Sequence, residues 1–343
     1  MLLGLVPGYK QKDNLNTNTM KTKNLVWTLT LGLFVMFTAC KKENKDPDNA
    51  AKLDTKVSQH NTDANDYKAE SDQADNDINN SLSDIPAFGR VSSAASILSS
   101  PLCGVVIDSS QIANKILFYN FDGVTPCFSP SRTRSGQIKV QLTSGTHWSD
   151  AGSVLTLTYI NFKVTRLSNN KSIMFNGVKT LKNINGNDWL GFIASTSTLR
   201  YQERALNIAV TFDNNLSATW NSARMTEWSF IQASTNPSIP YAHIAFSATG
   251  DTTLNGQTNT DSWGINRFGD AFVTHYNTAI VSNTYCGLWR FSSGELVHNV
   301  NSNDFTLTLG VDQNGNPTPY ACAYGFKVSW NINGNSNSVV LSY

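Results

Sequence analysis

Cys40 is the residue whose type and position most clearly predict a chemical modification. It closes the stretch "FTAC" and is followed at once by the polar run "KKENKDPDN". A thiol can carry a diacylglyceryl group as a thioether, and the small residues Thr38 and Ala39 let a peptidase close on the backbone before the cysteine. The sequence therefore predicts that Cys40 becomes a lipid-bearing N-terminus.

The segment before Cys40 predicts export. Leu25–Ala39 is an apolar run of 15 residues, which is shorter than the roughly 20 that a bilayer-spanning helix needs. Lys21 and Lys23 precede the run and small residues end it, which is the order of a secretory signal peptide. "FTAC" resembles a bacterial lipobox, although Phe37 stands where leucine is usual. A plain signal peptide and an N-terminal anchor helix are the alternatives.

A second start lies at Met20, where "MKTKNLVW" begins a complete signal peptide. Residues 1–19 add nothing to it, so we interpret them as an upstream start, and residues 1–39 do not enter the fold prediction. Their removal takes four lysines and one aspartate from a chain of formal charge +1 and leaves −2. Because there is no excess of basic charge, nucleic acid is not an expected partner.

Four cysteines remain after Cys40, and an even number in an exported chain favours disulfides. Four thiols can pair in three ways, and we predict the pairing of sequence neighbours. Free buried thiols are the alternative. A zinc site is not expected, because no zinc-type spacing and no Cys-x-x-Cys occurs. The disulfide candidates are Cys103 with Cys127 and Cys286 with Cys322.

Residues 40–86 predict a tether with a weak helix. Residues 41–84 hold no glycine and one proline, and between Asp63 and Asp84 there are seven acids against one lysine. Apolar residues recur there at a loose helical spacing, and disorder is the alternative. These apolar residues are Ala64, Tyr67, Ala74, Ile78 and Leu82.

Residues 87–343 predict a β domain, with two sub-domains as a variant. Apolar and polar residues alternate in "QIKVQL", "LNIAVTF", "FTLTLGV" and "FKVSWNI", which is typical of antiparallel strands with one buried face. Five Asn-Gly pairs favour tight hairpins because both residues tolerate positive φ. We place hairpins at "SIMFNGVKTL" and "FKVSWNINGNSNSVVL". No strong helical repeat follows residue 90, so the predicted class is all-β, with antiparallel hairpin and meander sheets.

One strand predicts a bend in the sheet. In "SVLTLTYINFKVTR" the apolar set changes phase between Tyr159 and Ile160. A β-bulge, or a strand that passes from one packing layer to another, produces such a change. We therefore expect two packed layers or a strongly bent sheet.

The sequence lacks the common catalytic, nucleotide-binding and metal-binding motifs. Five histidines are scattered, and none is at ligand spacing from another. Asp312 opens "DQNGNPTP", but Pro317 holds the position where a calcium loop needs glycine, so we predict a turn there. The prediction is a protein that is not an enzyme and that carries no cofactor and no metal.

Two sets of residues keep a glycan role open. Glycosidases need two facing carboxylates, and the acids available are Glu203, Glu227, Asp261 and Asp270. Tryptophans can stack on sugars, although core packing is the ordinary use of such side chains. Those of the β region are Trp148, Trp189, Trp220, Trp228, Trp263, Trp289 and Trp330.

Several stretches taken together resemble a family of uncharacterised lipoproteins common in Bacteroidota. They are "GVTPCFSPSRTRSGQIKVQLTSGTHWSDAGSVLTLTYINFKV", "SIMFNGVKTLKN", "TWNSARMTEW", "DSWGINRFGDAF" and "VDQNGNPTPYAC", within roughly Cys103–Tyr343. The chain departs from the family pattern in "ARMTEW", where a second arginine usually replaces Met225 or Thr226. The resemblance implies a β-rich envelope lipoprotein and carries no assigned activity.

The sequence thus predicts a lipoprotein of the outer membrane, on its periplasmic or cell-surface side, with a non-enzymatic binding or structural role. Its expected partners are the membrane, through the lipid on Cys40, and either glycans or other envelope proteins. A glycan-binding or glycan-processing surface lipoprotein is the alternative.

Overall fold

The computed structural model describes residues 47–83, 85–89, 102–127, 132–188, 191–192, 198–231, 242–288, 290–318, 322–332 and 335–343. A long helix, α1 (Pro47–Ser83), precedes fifteen strands, and a 3-10 turn at Ile112–Asn114 joins the first two. The strands are β1 (Val105–Asp108), β2 (Ile116–Asp122), β3 (Arg132–Ser144), β4 (Val154–Arg166), β5 (Ser172–Asn183), β6 (Leu199–Phe212), β7 (Ser217–Ile231), β8 (His243–Gly250), β9 (Thr252–Leu254), β10 (Gln257–Ile265), β11 (Ala271–Asn283), β12 (Phe291–Val300), β13 (Asn303–Val311), β14 (Gly325–Ile332) and β15 (Asn335–Ser342).

The strands form one antiparallel sheet, which confirms the predicted fold class. Strand order follows the chain from β1 to β7 and again from β10 to β15. β10 and β8 share the place between β7 and β11: each pairs with a different stretch of those two strands. Because most neighbours in the sheet are also neighbours in sequence, hairpins supply most of the connections, as a meander requires.

A row of β-bulges bends the sheet across β3 to β6. The change of phase predicted in β4 is confirmed, because Tyr159 and Phe162 are both buried and the register shifts between them. The alternation in "LNIAVTF" predicts Leu206 on the same face as Ile208. Leu206 is instead 65% exposed, because the register of β6 shifts between Ala205 and Ile208. The residues with positive φ at these shifts are Gly136 (87°), Asn161 (48°), Gly177 (140°) and Asn207 (56°).

The Asn-Gly pairs have two different uses. Asn255 and Gly256, with φ of 51° and 81°, close the β9–β10 hairpin. The hairpin predicted at "SIMFNGVKTL" is wrong: β5 runs straight through Asn176-Gly177, which lies at a bulge. The hairpin predicted in "FKVSWNINGNSNSVVL" is confirmed by the β14–β15 pairing, although its two turn residues lie outside the described residues.

Helix α1 lies on the concave side of the sheet, which curves around it. The consecutive residues Glu70, Ser71 and Asp72 bond to side chains of β3, β5 and β7, respectively. Because consecutive residues of an α-helix point about 100° apart, these strands must lie on different sides of the helix. From residue 60 to residue 82, only Asn65 and Asn76 are exposed.

The helix is longer and more deeply packed than the weak helix that the sequence predicted. Pro47 stands at its first position, where a missing N–H costs nothing, and no glycine interrupts it. Four of the five predicted apolar residues are buried in the same core as the strands: Tyr67, Ala74, Ile78 and Leu82. Among the described residues, no helix combines the length and the apolarity needed to cross a bilayer.

We expect Gly136→Ala to destabilise the protein more than Gly152→Ala. Both residues have positive φ (87° and 80°), so both substitutions carry about 1–2 kcal/mol of backbone strain. A Cβ at Gly136 would also lie 2.1 Å from the carbonyl oxygen of Asn161, whereas one at Gly152 meets nothing within 4 Å. Urea unfolding should show about 1–3 kcal/mol of additional loss for Gly136→Ala. Equal losses would contradict a close strand contact at this bulge.

Candidate functional site

Ion pairs hold helix α1 inside the sheet, and together we call them the ion-pair belt. The helix supplies six carboxylates to the belt, and the sheet and its turns supply the matching cations. In one further pair the helix supplies the cation and the sheet supplies the carboxylate: Lys68 Nζ donates to Asp261 Oδ2 at 2.8 Å. The six pairs are Asp63–Arg267, Asp66–Arg166, Glu70–Arg132, Asp72–Arg224, Asp75–Lys179 and Asp77–Arg134.

Three carboxylates converge at the centre of the belt. Oxygens of Asp72, Asp75 and Glu203 lie within 4.8 Å of one another, a spacing that could hold a metal ion. These carboxylates already accept hydrogen bonds, however. Lys179 Nζ donates to Asp75 Oδ2 at 2.7 Å, and Arg224 donates from Nη1 to Asp72 Oδ2 at 3.0 Å and from Nη2 to Glu203 Oε2 at 2.9 Å. Three acids against two cations leave this carboxylate cluster one positive charge short.

Two acids of the cluster differ in their protonation. Burial, reinforced by the charges of Glu203 and Asp72, raises the pKa of Asp75 to about 7 against the opposing charge of Lys179. Burial also pushes the pKa of Glu203 upward, but the charges of Arg224 and Lys179 outweigh it and lower this pKa to about 2. Acid–base catalysis uses such unequal pairs. Here Asp75 and Glu203 are each only 7% exposed, so a substrate could reach them only if the helix moved.

His60 lies among the aromatic rings of Trp220, Phe272 and His298. Its ring centroid is 4.7 Å from those of Phe272 and His298 and 5.8 Å from that of Trp220. Both nitrogens of His60 and the Nε2 of His298 are buried and form no hydrogen bond with any described residue, whereas His298 Nδ1 lies 2.7 Å from Thr274 Oγ1. The two imidazoles are nearly parallel, at 19°, so their in-plane lone pairs cannot converge on one metal ion.

Both imidazoles are neutral at neutral pH. Burial lowers the pKa of His60 to about 4. Burial, with the charges of His60 and Lys68, lowers the pKa of His298 well below its ordinary value. The sequence could not show this contact, because the two histidines lie far apart in the chain and neither has a second histidine at ligand spacing.

The predicted disulfides divide into one that forms and one that does not. Cys286 and Cys322 are bonded, with their Cα atoms 5.2 Å apart, which confirms that pair. Cys103 and Cys127 are free thiols, with Cys127 Sγ 3.7 Å from the carbonyl oxygen of Cys103, so the predicted bond between them is wrong. The alternative of free thiols holds, although both are half-buried and not fully buried. Burial raises the pKa of Cys127 to about 12, which disfavours the reactive thiolate. Cys40 lies outside the described residues.

The four acids considered for glycan chemistry occupy different environments. Glu203 and Asp261 are buried in the belt, Glu227 pairs with Arg200 at 3.1 Å near the surface, and Asp270 lies in the turn between β10 and β11. Glu203 lies instead beside Asp72 and Asp75 of the helix, which are not among the four acids that the sequence suggested.

The tryptophans also divide by environment. Trp148 and Trp220 are in the core, and Trp148 donates to Asn79 of the helix at 2.9 Å. Three others are half-buried and could meet a ligand: Trp228, Trp263 and Trp330. Trp189 and Trp289 lie outside the described residues.

A cleft of about 170 Å³ opens between the first half of α1, the ends of strands β4, β5 and β6, and the turn that carries Arg267. Charged side chains of both signs line it, among them Asp66, Arg166, Lys171, Asp213 and Arg267. Val164, Ile173 and Phe212 contribute an apolar part. Unlike the carboxylate cluster, the cleft can be reached without moving the helix, because Lys171 and Asp213 at its edge are exposed.

Comparisons with protein-family models, with curated proteins and with solved structures find no match to this chain.

The distribution of charge along the sequence is compatible with the ion-pair belt. Residues 63–84 hold seven acids against one lysine, whereas residues 85–343 hold 16 basic residues against 13 acids. Opposite charge on two segments of one chain is compatible with their pairing. The pattern could not show which cations face inward, since that depends on the register of each strand.

Removing one partner of a buried pair should be far more damaging than removing a surface pair. Lys179→Met leaves Asp75 and Glu203 without this cation, so we expect a loss of about 3–5 kcal/mol in the free energy of unfolding. The matched control is Arg200→Met, whose pair with Glu227 is 42% and 37% exposed and which should cost about 0–1 kcal/mol. Adding Asp75→Leu to Lys179→Met should restore part of the loss. Urea denaturation measures all three; similar losses for both single variants would refute this role of the belt.

His60 should make the protein less stable as the pH falls. Its folded pKa of about 4 is below the ordinary 6.5, so its stabilising contribution is present above pH 6.5 and is lost as the pH falls from there toward 4. That difference corresponds to about 3 kcal/mol. The raised pKa values of Asp63 (about 6) and Asp75 (about 7) act in the opposite sense, so the comparison must be between variants.

The test is the difference in melting temperature between pH 7.5 and pH 4.5 for the wild type and for His60→Leu. The wild type should lose more stability on acidification than the variant. His147→Leu is the control, because this histidine is 36% exposed in its side chain. If His60→Leu and the wild type respond equally to pH, the buried imidazole does not contribute.

Proposed function

We propose that the chain is a lipid-anchored envelope protein whose β domain has a non-enzymatic binding or structural role. The observation that carries the proposal is the signal-like segment that ends in "FTAC", seven residues before a helix that the sheet encloses. About 14 Å along the helix from Pro47, the helix contacts the β domain, because the ammonium of Lys56 lies 5.6 Å from the ring centroid of Phe268. A lipid on Cys40 would therefore be connected to the domain mainly through a helix that the ion-pair belt holds.

The proposed location is the outer membrane, on its periplasmic or surface side. One acyl chain gives only marginal membrane binding, so the two or more chains of a lipidated cysteine are needed for a stable anchor. A glycan-binding role is the second candidate, and the half-buried Trp228, Trp263 and Trp330 favour it. Saturable binding in a glycan array, followed by tryptophan fluorescence, would give this second role precedence.

Replacing Cys40 should abolish the anchor. In cell fractionation, the wild type should be found with the membranes and should carry the mass of the lipid on its N-terminal peptide. Cys40→Ser should leave the membrane fraction and lack that mass. Cys103→Ser is the matched control, since it removes a cysteine without affecting the lipobox-like stretch. If Cys40→Ser keeps both the membrane association and the lipid mass, the proposal is wrong.

A further inference from the structure

One wall of the cleft beside the first half of α1 is formed by the ion pair of Arg267 and Asp63. Arg267 donates from two nitrogens to the two oxygens of Asp63, at 2.6 Å each. Its guanidinium carbon also lies 3.8 Å from the ring centroid of Phe212. Asp63 also accepts a hydrogen bond from Gln59 at 2.8 Å, so both of its oxygens already have donors from the protein.

Asp66, on the helix side of the cleft, is less completely paired. Arg166 Nη2 donates to its Oδ1 at 2.5 Å, and within the described part of the chain no hydrogen bond reaches the other oxygen. Burial raises the pKa of Asp66, even though the charges of Arg166, Lys171 and Arg267 oppose it. An ammonium group at this carboxylate would therefore add compensation that the protein's own cations do not supply.

The edge of the cleft carries one charge of each sign that forms no ion pair with another described residue. Lys171 ends the turn between β4 and β5, and Asp213 begins the turn between β6 and β7. Both side chains are exposed, and neither forms an ion pair or a side-chain hydrogen bond with another described residue. The two turns project from the same edge of the sheet, because β4 and β6 run in the same direction.

The size of the cleft restricts what can enter. Drug-sized ligands occupy pockets of roughly 300–1,000 Å³, whereas this cleft offers about 170 Å³. A ligand must therefore be small, or must be the small end of a larger molecule.

We propose that this cleft binds a small zwitterionic group, with its ammonium at Asp66 and Asp213 and its carboxylate or phosphate at Lys171. A charged group of a single sign would leave one of the two edge charges unpaired. Two sources share this chemistry: a free amino acid, and an ethanolamine phosphate headgroup. The inference deepens the binding role proposed above and rests on it, but it does not depend on the lipid at Cys40.

The test measures the melting temperature of the purified full chain with three probes: glycine, O-phosphoethanolamine and monomeric dihexanoyl phosphatidylethanolamine. At least one should raise the melting temperature in a saturable manner. A preference for glycine identifies an amino acid ligand, and a preference for the two phosphates identifies a headgroup. Sodium acetate and ethylamine, which each carry one of the charges, should have no comparable effect.

Lys171→Gln and Asp213→Asn should each weaken binding of the effective probe by about tenfold or more, because each removes a charge-assisted contact. Both residues lie in exposed turns, so the variants should fold. The controls are Lys163→Gln and Asp304→Asn, which neutralise exposed charges outside the cleft and should bind normally.

The proposal is overturned if no probe raises the melting temperature, or if Lys171→Gln and Asp213→Asn bind as the wild type does. Failure of the anchor has a different signature: a chain that lacks the lipid mass but still binds the probe would refute the envelope location and leave the cleft proposal standing. A chain that carries the lipid mass but binds no probe would refute the cleft proposal and leave the envelope location standing.

Discussion

The rest of the structure depends on the enclosure of an acidic helix by a sheet whose cations point inward. A carboxylate taken from water into a protein interior is tolerated only beside a positive partner. Each of the strands β3, β4, β5 and β7 must therefore present an arginine or lysine at the level of its acid on α1. A flat sheet cannot bring these strands to different sides of one helix, so the curvature at the bulges and the pairing of charges require each other.

The same enclosure makes the interior sensitive to protons. The carboxylate cluster has three acids and two cations, and Asp75 takes up a proton near neutral pH. His60, a few turns away, is buried as a neutral imidazole between rings. If the chain is anchored through Cys40, the helix that carries these groups is also the element that connects the anchor to the domain. The proposed binding role is then placed at the edge of the sheet, where Lys171 and Asp213 form no ion pair with another described residue.

Much of the strand content could be predicted because it follows from local patterns. Alternation predicted β3, β6, β13 and β14, and the change of phase at Tyr159–Ile160 predicted a bulge or a change of packing layer, of which the bulge forms. The failures have physical causes. Asn176-Gly177 can form a turn or a bulge, and its neighbours in space decide which one forms. Cys103 and Cys127 are close in sequence, but the folded chain holds them as thiols.

The sequence by itself determined the class of fold and the composition of the helix, because both rest on residue types or on short-range periodicity. Which of the cysteines are bonded was decided by the folded chain. Only the tertiary structure decided that the helix lies inside the sheet, that Glu203 meets Asp72 and Asp75, and that His60 meets His298. The reason is that the sequence of a polar helix does not indicate whether it will face water or another part of the protein. Its charges are satisfied equally well by water until a sheet with the right register and curvature surrounds it.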